Sequence, residues 1–320
     1  MTESGRKSPR RAANDLTVLL RTVLGEDRFP VDVEELALEV SRNHEDPITA
    51  IRGVEIDEFE GMLRAGRRKP GWQIIYNTQQ IYRGRERFTL AHEFGHYVLH
   101  RRPLTADDYR NGELPDGFDF ECLPLQANNW KDAEKEREEE ADTFASYLLM
   151  PIDDYREQVK REEMSRSLLA HVTNRYGVSL LAAVRKWIEF SDMPVAMVVA
   201  RDGYALWGRA STAAYNGGIF IRSGMPIPDG SIAAQGAASR HADSDRAVSL
   251  PAGTWSFSRG APPVRELTIF SDRLGISVSL LHFEQDGDGA VFDDEEAWDT
   301  YDQFIAGGQS SLMNGSRRGT

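Results

Sequence analysis

The chain has a single cysteine, Cys122, among 320 residues, so no disulfide can form within it. One thiol and no bridge fit a reducing cytosol, and the expected location is cytoplasmic. No run approaches the ~18 uninterrupted apolar residues of a membrane span, so no membrane partner is expected. The opening MTESGRKSPRRAAND is basic but lacks the apolar core of a secretory signal; residues 1–13 read as a disordered arm. Positive charge is in deficit, with 38 Lys and Arg against 51 Asp and Glu, a net charge of −13. A protein built mainly to bind nucleic acid carries the opposite balance, so direct nucleic-acid binding is not expected. No internal repeat is present. What is there is 40% apolar and long enough for two ordinary domains.

The stretch that carries chemistry is FTLAHEFGHYVLH, residues 88–100. Its pattern reads as a helix, and on a helix His92 and His96 share a face, roughly 6 Å apart along the axis. Two imidazoles so placed can converge on one zinc ion at about 2.0–2.1 Å each. Glu93 lies beside them, suited to take a proton from water rather than to bind the metal. His100 continues the four-residue spacing. It lies about 12 Å from His92 along the axis, too far for both to reach one ion, and reads as a surface histidine at the helix end.

A metal site needs a third ligand, and the best source is WKDAEKEREEEADTFASYLLM, residues 130–150, a long helix stopped by Pro151. At about 100° per residue, Ala141, Phe144, Ala145, Leu148 and Leu149 form one apolar stripe. Glu138 falls at the edge of that stripe, where an unpaired carboxylate is costly and a zinc ion would be its partner. Glu139 and Glu140 point away and read as a solvated face; Glu134, one turn before Glu138, is the reserve candidate. Asp142 is placed to accept the N–H of a ligating histidine and fix its tautomer. Three protein ligands would leave a fourth position for water, the catalytic arrangement. Tyr97 and Tyr76 are candidates for an additional oxyanion donor.

RFTLAHEFGHYVLH followed by the E-x-x-A-D-x-F-A-x-x-L-L-M-P of residues 138–151 resembles the ImmA/IrrE family of zinc metallopeptidases. The resemblance covers about residues 15–190, roughly half the chain. It implies a thermolysin-like zincin domain (small sheet plus helices); with the β-rich C-terminal domain read from the strand pattern of the second half, the expected fold class is α+β. The resemblance implies one Zn2+ per chain held by His92, His96 and Glu138, with Glu93 as catalytic base. It also implies a protein substrate, because family members cleave helix-turn-helix repressors and so release stress-response, phage or mobile-element genes. Two other classes stand beside this one: a zinc-containing regulatory or binding protein without constitutive proteolysis, and a hydrolase of a non-peptide amide. The intact Glu93 weighs against the first, since a structural zinc would not require it.

The rest of the chain supplies the frame. Helices are expected over residues 14–25 and 33–41, the second capped by Asp32, and strands over 53–59, 61–64 and 72–76 around an exposed RAGRRKPG loop. Residues 101–129 read as a mobile flap beside the cleft. Helices follow over 153–163, 165–176 and 180–190; the last two have helix-turn-helix spacing, but Arg185 and Lys186 alone among apolar neighbours favour packing over DNA. The metallopeptidase domain is thus expected over 14–192 and a β-rich domain of unknown role over 193–290, with a flexible acidic, then Gly/Ser-rich tail over 291–320 holding a short helix near 295–305. Strands are expected at 195–200, 204–208, 218–222, 247–250, 254–258, 267–270 and 276–283, the first two joined by an Asp202-Gly203 hairpin turn.

Overall fold

A computed structural model describes residues 7–55, 60–79, 83–110, 114, 119–122, 132–159, 163–239, 241–255 and 262–284. The fold is α+β, in two compact units: residues 1–155 with 173–179, and residues 156–172 with 180–320. The tail expected over 291–320 and the helix near 295–305 lie outside the described residues.

The first unit opens with α1 (Pro9–Leu24), where a disordered arm is expected as far as residue 13. The helix starts early because Ser8 caps it, its hydroxyl accepting from Arg11 N–H, and Pro9 suits the first turn. Helix α2 (Val33–Ser41) begins as expected, with the Asp32 carboxylate accepting from Glu35 N–H at 2.9 Å. Strands β1 (Ile48–Val54), β2 (Gly61–Ala65) and β3 (Trp72–Asn77) follow, then α3 (Arg83–Leu99). Strand β1 starts five residues before the expected one; residues 56–59 lie outside the described residues. A three-residue β4 (Phe120–Cys122) and α4 (Asp132–Leu149) come next.

The sheet order is β1-β3-β2-β4, with β1 parallel to β3 and both other pairings antiparallel. Helix α3 packs against β2 and β3 and against α4, and α4 packs in turn on α1. Between α3 and α4 the rings of Phe94 and Phe144, both fully buried, meet edge to face at 5.7 Å. Gly95 lets them close: a Cβ there would stand 3.0 Å from Phe144 Cδ1 and 3.3 Å from Ala141 Cα. Of the flap expected over residues 101–129, residues 111–113, 115–118 and 123–129 lie outside the described residues, and the described part is anchored at several points. Leu104 is fully buried, and its N–H donates at 3.0 Å to Asp46, which also accepts from Trp72 Nε1 at 2.9 Å. Further along, β4 pairs with β2.

Helices α5 (Ile152–Val159), α6 (Arg166–Tyr176) and α7 (Leu180–Glu189) lead into the second unit. Lys186 is 1% exposed and lies among buried Ala183, Val184, Trp187 and Ile188, so α7 packs on β5 rather than presenting a cationic face. Here β5 (Val195–Arg201), β6 (Tyr204–Ala210), β7 (Val248–Leu250), β8 (Val264–Ser271) and β9 (Ile276–Phe283) form an antiparallel sheet in the order β6-β5-β9-β8-β7. The β5–β6 turn has Asp202 at φ +50° and Gly203 at φ +81°, the paired left-handed conformation that an Asp-Gly hairpin needs. No strand forms at residues 218–222; a short helix, α8 (Thr212–Asn216), precedes them. Ile219 and Ile221 alternate as strand residues do, but they plug the core from outside the sheet, with Ile219 N–H donating to the Ala214 carbonyl at 3.0 Å. Residues 254–255 are bends rather than strand, and 256–258 lie outside the described residues. A second short helix, α9 (Ile232–Gln235), is held by Glu266. This fully buried carboxylate accepts from Ile232 and Ala233 N–H, Trp255 Nε1 and the hydroxyls of Thr268 and Ser279.

Candidate metal centre

Helix α3 turns His92, Glu93 and His96 inward because Leu90, Ala91, Phe94 and Tyr97 are buried around them. His92 is 8% exposed, and Glu93 and His96 are fully buried. From α4, Glu138 reaches across: Oε2 lies 3.1 Å from His92 Nε2 and Oε1 lies 3.3 Å from His96 Nε2, while the two Nε2 atoms are 3.0 Å apart. Three electron-pair donors this close repel one another unless a proton or a cation lies among them. Ligands at 2.0–2.1 Å around a tetrahedral centre stand roughly 3.3–3.4 Å from each other, so the spacing fits a metal ion of zinc's size. His92, His96 and Glu138 are therefore a group that could hold a metal ion, with donor atoms all within 4.8 Å of one another.

The electrostatics agree. Burial opposes ionisation of Glu138, but hydrogen bonds and charge from His92 and His96 outweigh it and hold its carboxyl far below the usual carboxylate range. Burial likewise lowers the pKa of His96 and favours the neutral imidazole that a metal requires. His92 Nδ1 lies 2.8 Å from Asp142 Oδ1, the contact expected of a carboxylate that orients a ligating ring.

Glu93 faces β2. A Cβ added to Gly61, the first residue of that strand, would come 2.4 Å from Glu93 Oε1 and 2.6 Å from Thr89 Cγ2, so strand backbone forms the wall against which the carboxylate lies. Phe120 on β4 stacks on His96, with ring centroids 5.2 Å apart and planes at 21°. Neither Gly61 nor Phe120 stands out in the sequence, because only the strand register brings them to the site: Gly61 pairs with Cys122 and Leu63 with Phe120.

Two expectations need correction. His100 is not a surface histidine. Its side chain is fully buried, with Nδ1 2.9 Å from His96 Nδ1 and Nε2 2.8 Å from Glu140 Oε2. Glu140 is accordingly not simply solvated; its side chain is 25% exposed and faces His100. The distance argument excludes His100 as a ligand beside His92, but not as a partner of His96 one turn away. Tyr97 is fully buried, and its hydroxyl donates to the Asp46 carbonyl at 3.1 Å and lies 2.9 Å from His44 Nδ1. Burial pushes its pKa up to about 12, and its hydroxyl contacts lie with Asp46 and His44. Tyr76 sits on β3 opposite Gly61. Glu134 is partly exposed on α4, and Glu139 is exposed with Lys135 3.5 Å away.

Comparison with known families and proteins places this site. No curated protein matches the chain. Residues 52–187, a span that takes in both donor helices, match the peptidase family model described as the IrrE N-terminal-like domain. With the His92–His96–Glu138 convergence carried inside that span, residues 52–187 form a metallopeptidase domain of the ImmA/IrrE family.

Proposed function

We propose that the protein is a zinc-dependent metalloendopeptidase of the cytoplasm, in which His92, His96 and Glu138 hold one Zn2+ and Glu93 is the general base. The observation that carries this reading is the convergence of three side chains, the His92 and His96 Nε2 atoms 3.0 Å apart and each within 3.3 Å of a Glu138 carboxylate oxygen, with Glu93 buried alongside but outside the set. A zinc ion bound there supplies Lewis acidity toward water and toward a scissile carbonyl. Glu93 accepts a proton from water and delivers it to the leaving amine; the Gly61 backbone limits where its carboxylate can lie. Asp142 holds the His92 ring so that Nε2 faces the centre. An extended substrate strand would add to the outer edge of β4, which among the described residues is the edge strand on this side of the sheet. Tyr76 stays the candidate oxyanion donor. No helix among the described residues is long and apolar enough to cross a membrane.

The substrate we propose is a helix-turn-helix transcriptional repressor, cleaved to release the genes it controls. The test compares the proteomes of cells carrying wild type or Glu93→Gln. A repressor fragment present only with wild type, together with full zinc content in the purified variant, is the expected result. Loss of zinc from Glu93→Gln would instead make Glu93 a ligand and overturn the assignment of roles.

A further inference from the structure

We propose that His100 and Glu140 are positioning residues for the metal centre: a two-member chain that orients His96 as Asp142 orients His92. The inference rests on the reading of His92, His96 and Glu138 as metal ligands and extends it to side chains that touch neither metal nor substrate.

The hydrogen positions follow from the contacts. For His96 to present an Nε2 lone pair toward His92 and Glu138, its proton must sit on Nδ1. That nitrogen is 2.9 Å from His100 Nδ1, which must then be the acceptor. His100 is left with its proton on Nε2, and this nitrogen is 2.8 Å from Glu140 Oε2, a natural acceptor. The order His96 Nδ1–H to His100 Nδ1, then His100 Nε2–H to Glu140, is the one assignment that gives each contact one donor and one acceptor with all rings neutral. Each ligating ring therefore has its outer nitrogen fixed, His92 by a carboxylate directly and His96 by a carboxylate through one intervening imidazole. The His100 side chain is fully buried, and its ring lies 6.3 Å from that of Phe120, which also stacks on His96. The two helices set this geometry: His100 directly follows the last residue of α3, one turn beyond His96, and Glu140 lies between Glu138 and Asp142 on α4.

The test is Zn2+ affinity of the full chain, measured by competition with a chelator at one near-neutral pH, with no reference to turnover. His100→Leu fills the space but accepts no hydrogen bond, and should weaken Zn2+ binding roughly 10–100-fold. His100→Asn puts an amide oxygen near the former Nδ1 and should recover most of that loss. A purely packing role predicts the reverse order, with Leu tolerated and Asn harmful. Glu140→Ala, at a partly exposed position, should weaken binding by about 10-fold and decides the matter if His100→Leu fails to fold. Wild-type affinity in both His100→Leu and Glu140→Ala would overturn the chain while leaving the metallopeptidase reading intact. A wild-type protein that binds no zinc would overturn both.

Discussion

Gly61→Ala is a one-carbon change that the structure predicts to be severe. The added Cβ would lie 2.4 Å from Glu93 Oε1, whereas ordinary contact begins near 3.4 Å, so something must give by about 1 Å (3.4 − 2.4). Strand β2 cannot yield much, since it pairs with β3 on one side and β4 on the other. Helix α3 cannot yield either, because Gly95 already brings it against α4. The carboxylate of Glu93 is the softest element and moves. A displacement of about 1 Å at a reacting group costs on the order of 10²-fold in rate, or about 2.7 kcal/mol of transition-state stabilisation. Overpacking adds about 1–3 kcal/mol of instability. None of the three metal donors is touched, so zinc content should stay at the wild-type level. The assay is kcat/KM on the substrate found by the proteomic comparison, with metal analysis and a thermal melt on the same preparation. A folded Gly61→Ala protein with wild-type kcat/KM would show that the strand does not position Glu93, and the reasoning would fail.

Glu138→Ala should strip zinc and abolish cleavage, whereas exposed Glu139→Ala should change stability by no more than about 0.5 kcal/mol; metal content of the two decides, and zinc retained by Glu138→Ala would move the third ligand elsewhere. Burial, with help from Arg265, lowers the pKa of His282 from 6.5 to about 4. The unfolded chain then binds a proton that the folded one refuses, so this contribution is whole above about pH 6.5 and is lost as pH falls toward about 4, a total of about 3 kcal/mol. Urea melts from neutral to acidic pH should show a flatter profile for His282→Gln than for wild type; parallel profiles would refute the assignment. Glu266→Ala leaves five donors, four of them buried, without their acceptor and should cost about 3–5 kcal/mol in a melt of the full chain, and a loss below about 1 kcal/mol would count against its anchoring role.

The parts of the site legible in the sequence are those whose contacts are set by helical phase. His92 and His96 share a face by spacing alone, and Glu138 continues a stripe that the packing of α4 on α3 does bury. Helical phase failed for Glu140 because it measures direction from the helix's own stripe, while the neighbouring helix ends in a histidine that reaches that flank. Gly61 and Phe120 were invisible for a different reason: strand register, which brings them beside Glu93 and His96, is fixed by long-range pairing with no local signal. Strand β9 was legible to the residue, since ISVSLLHF is apolar enough to be central on both faces. The early start of α1 rests on one serine hydroxyl, a small signal inside a charged stretch.

The close approach that Gly95 allows between α3 and α4 has a consequence for how the protein is made. The two histidines leave the ribosome together, but the third donor arrives 42 residues later (138 − 96) on a helix that must first dock through Phe144. A nascent or misfolded chain therefore carries the motif without a complete donor set. Hydrolytic competence is a property of the docked helix pair, so the cell is exposed to this protease only after its folding has succeeded.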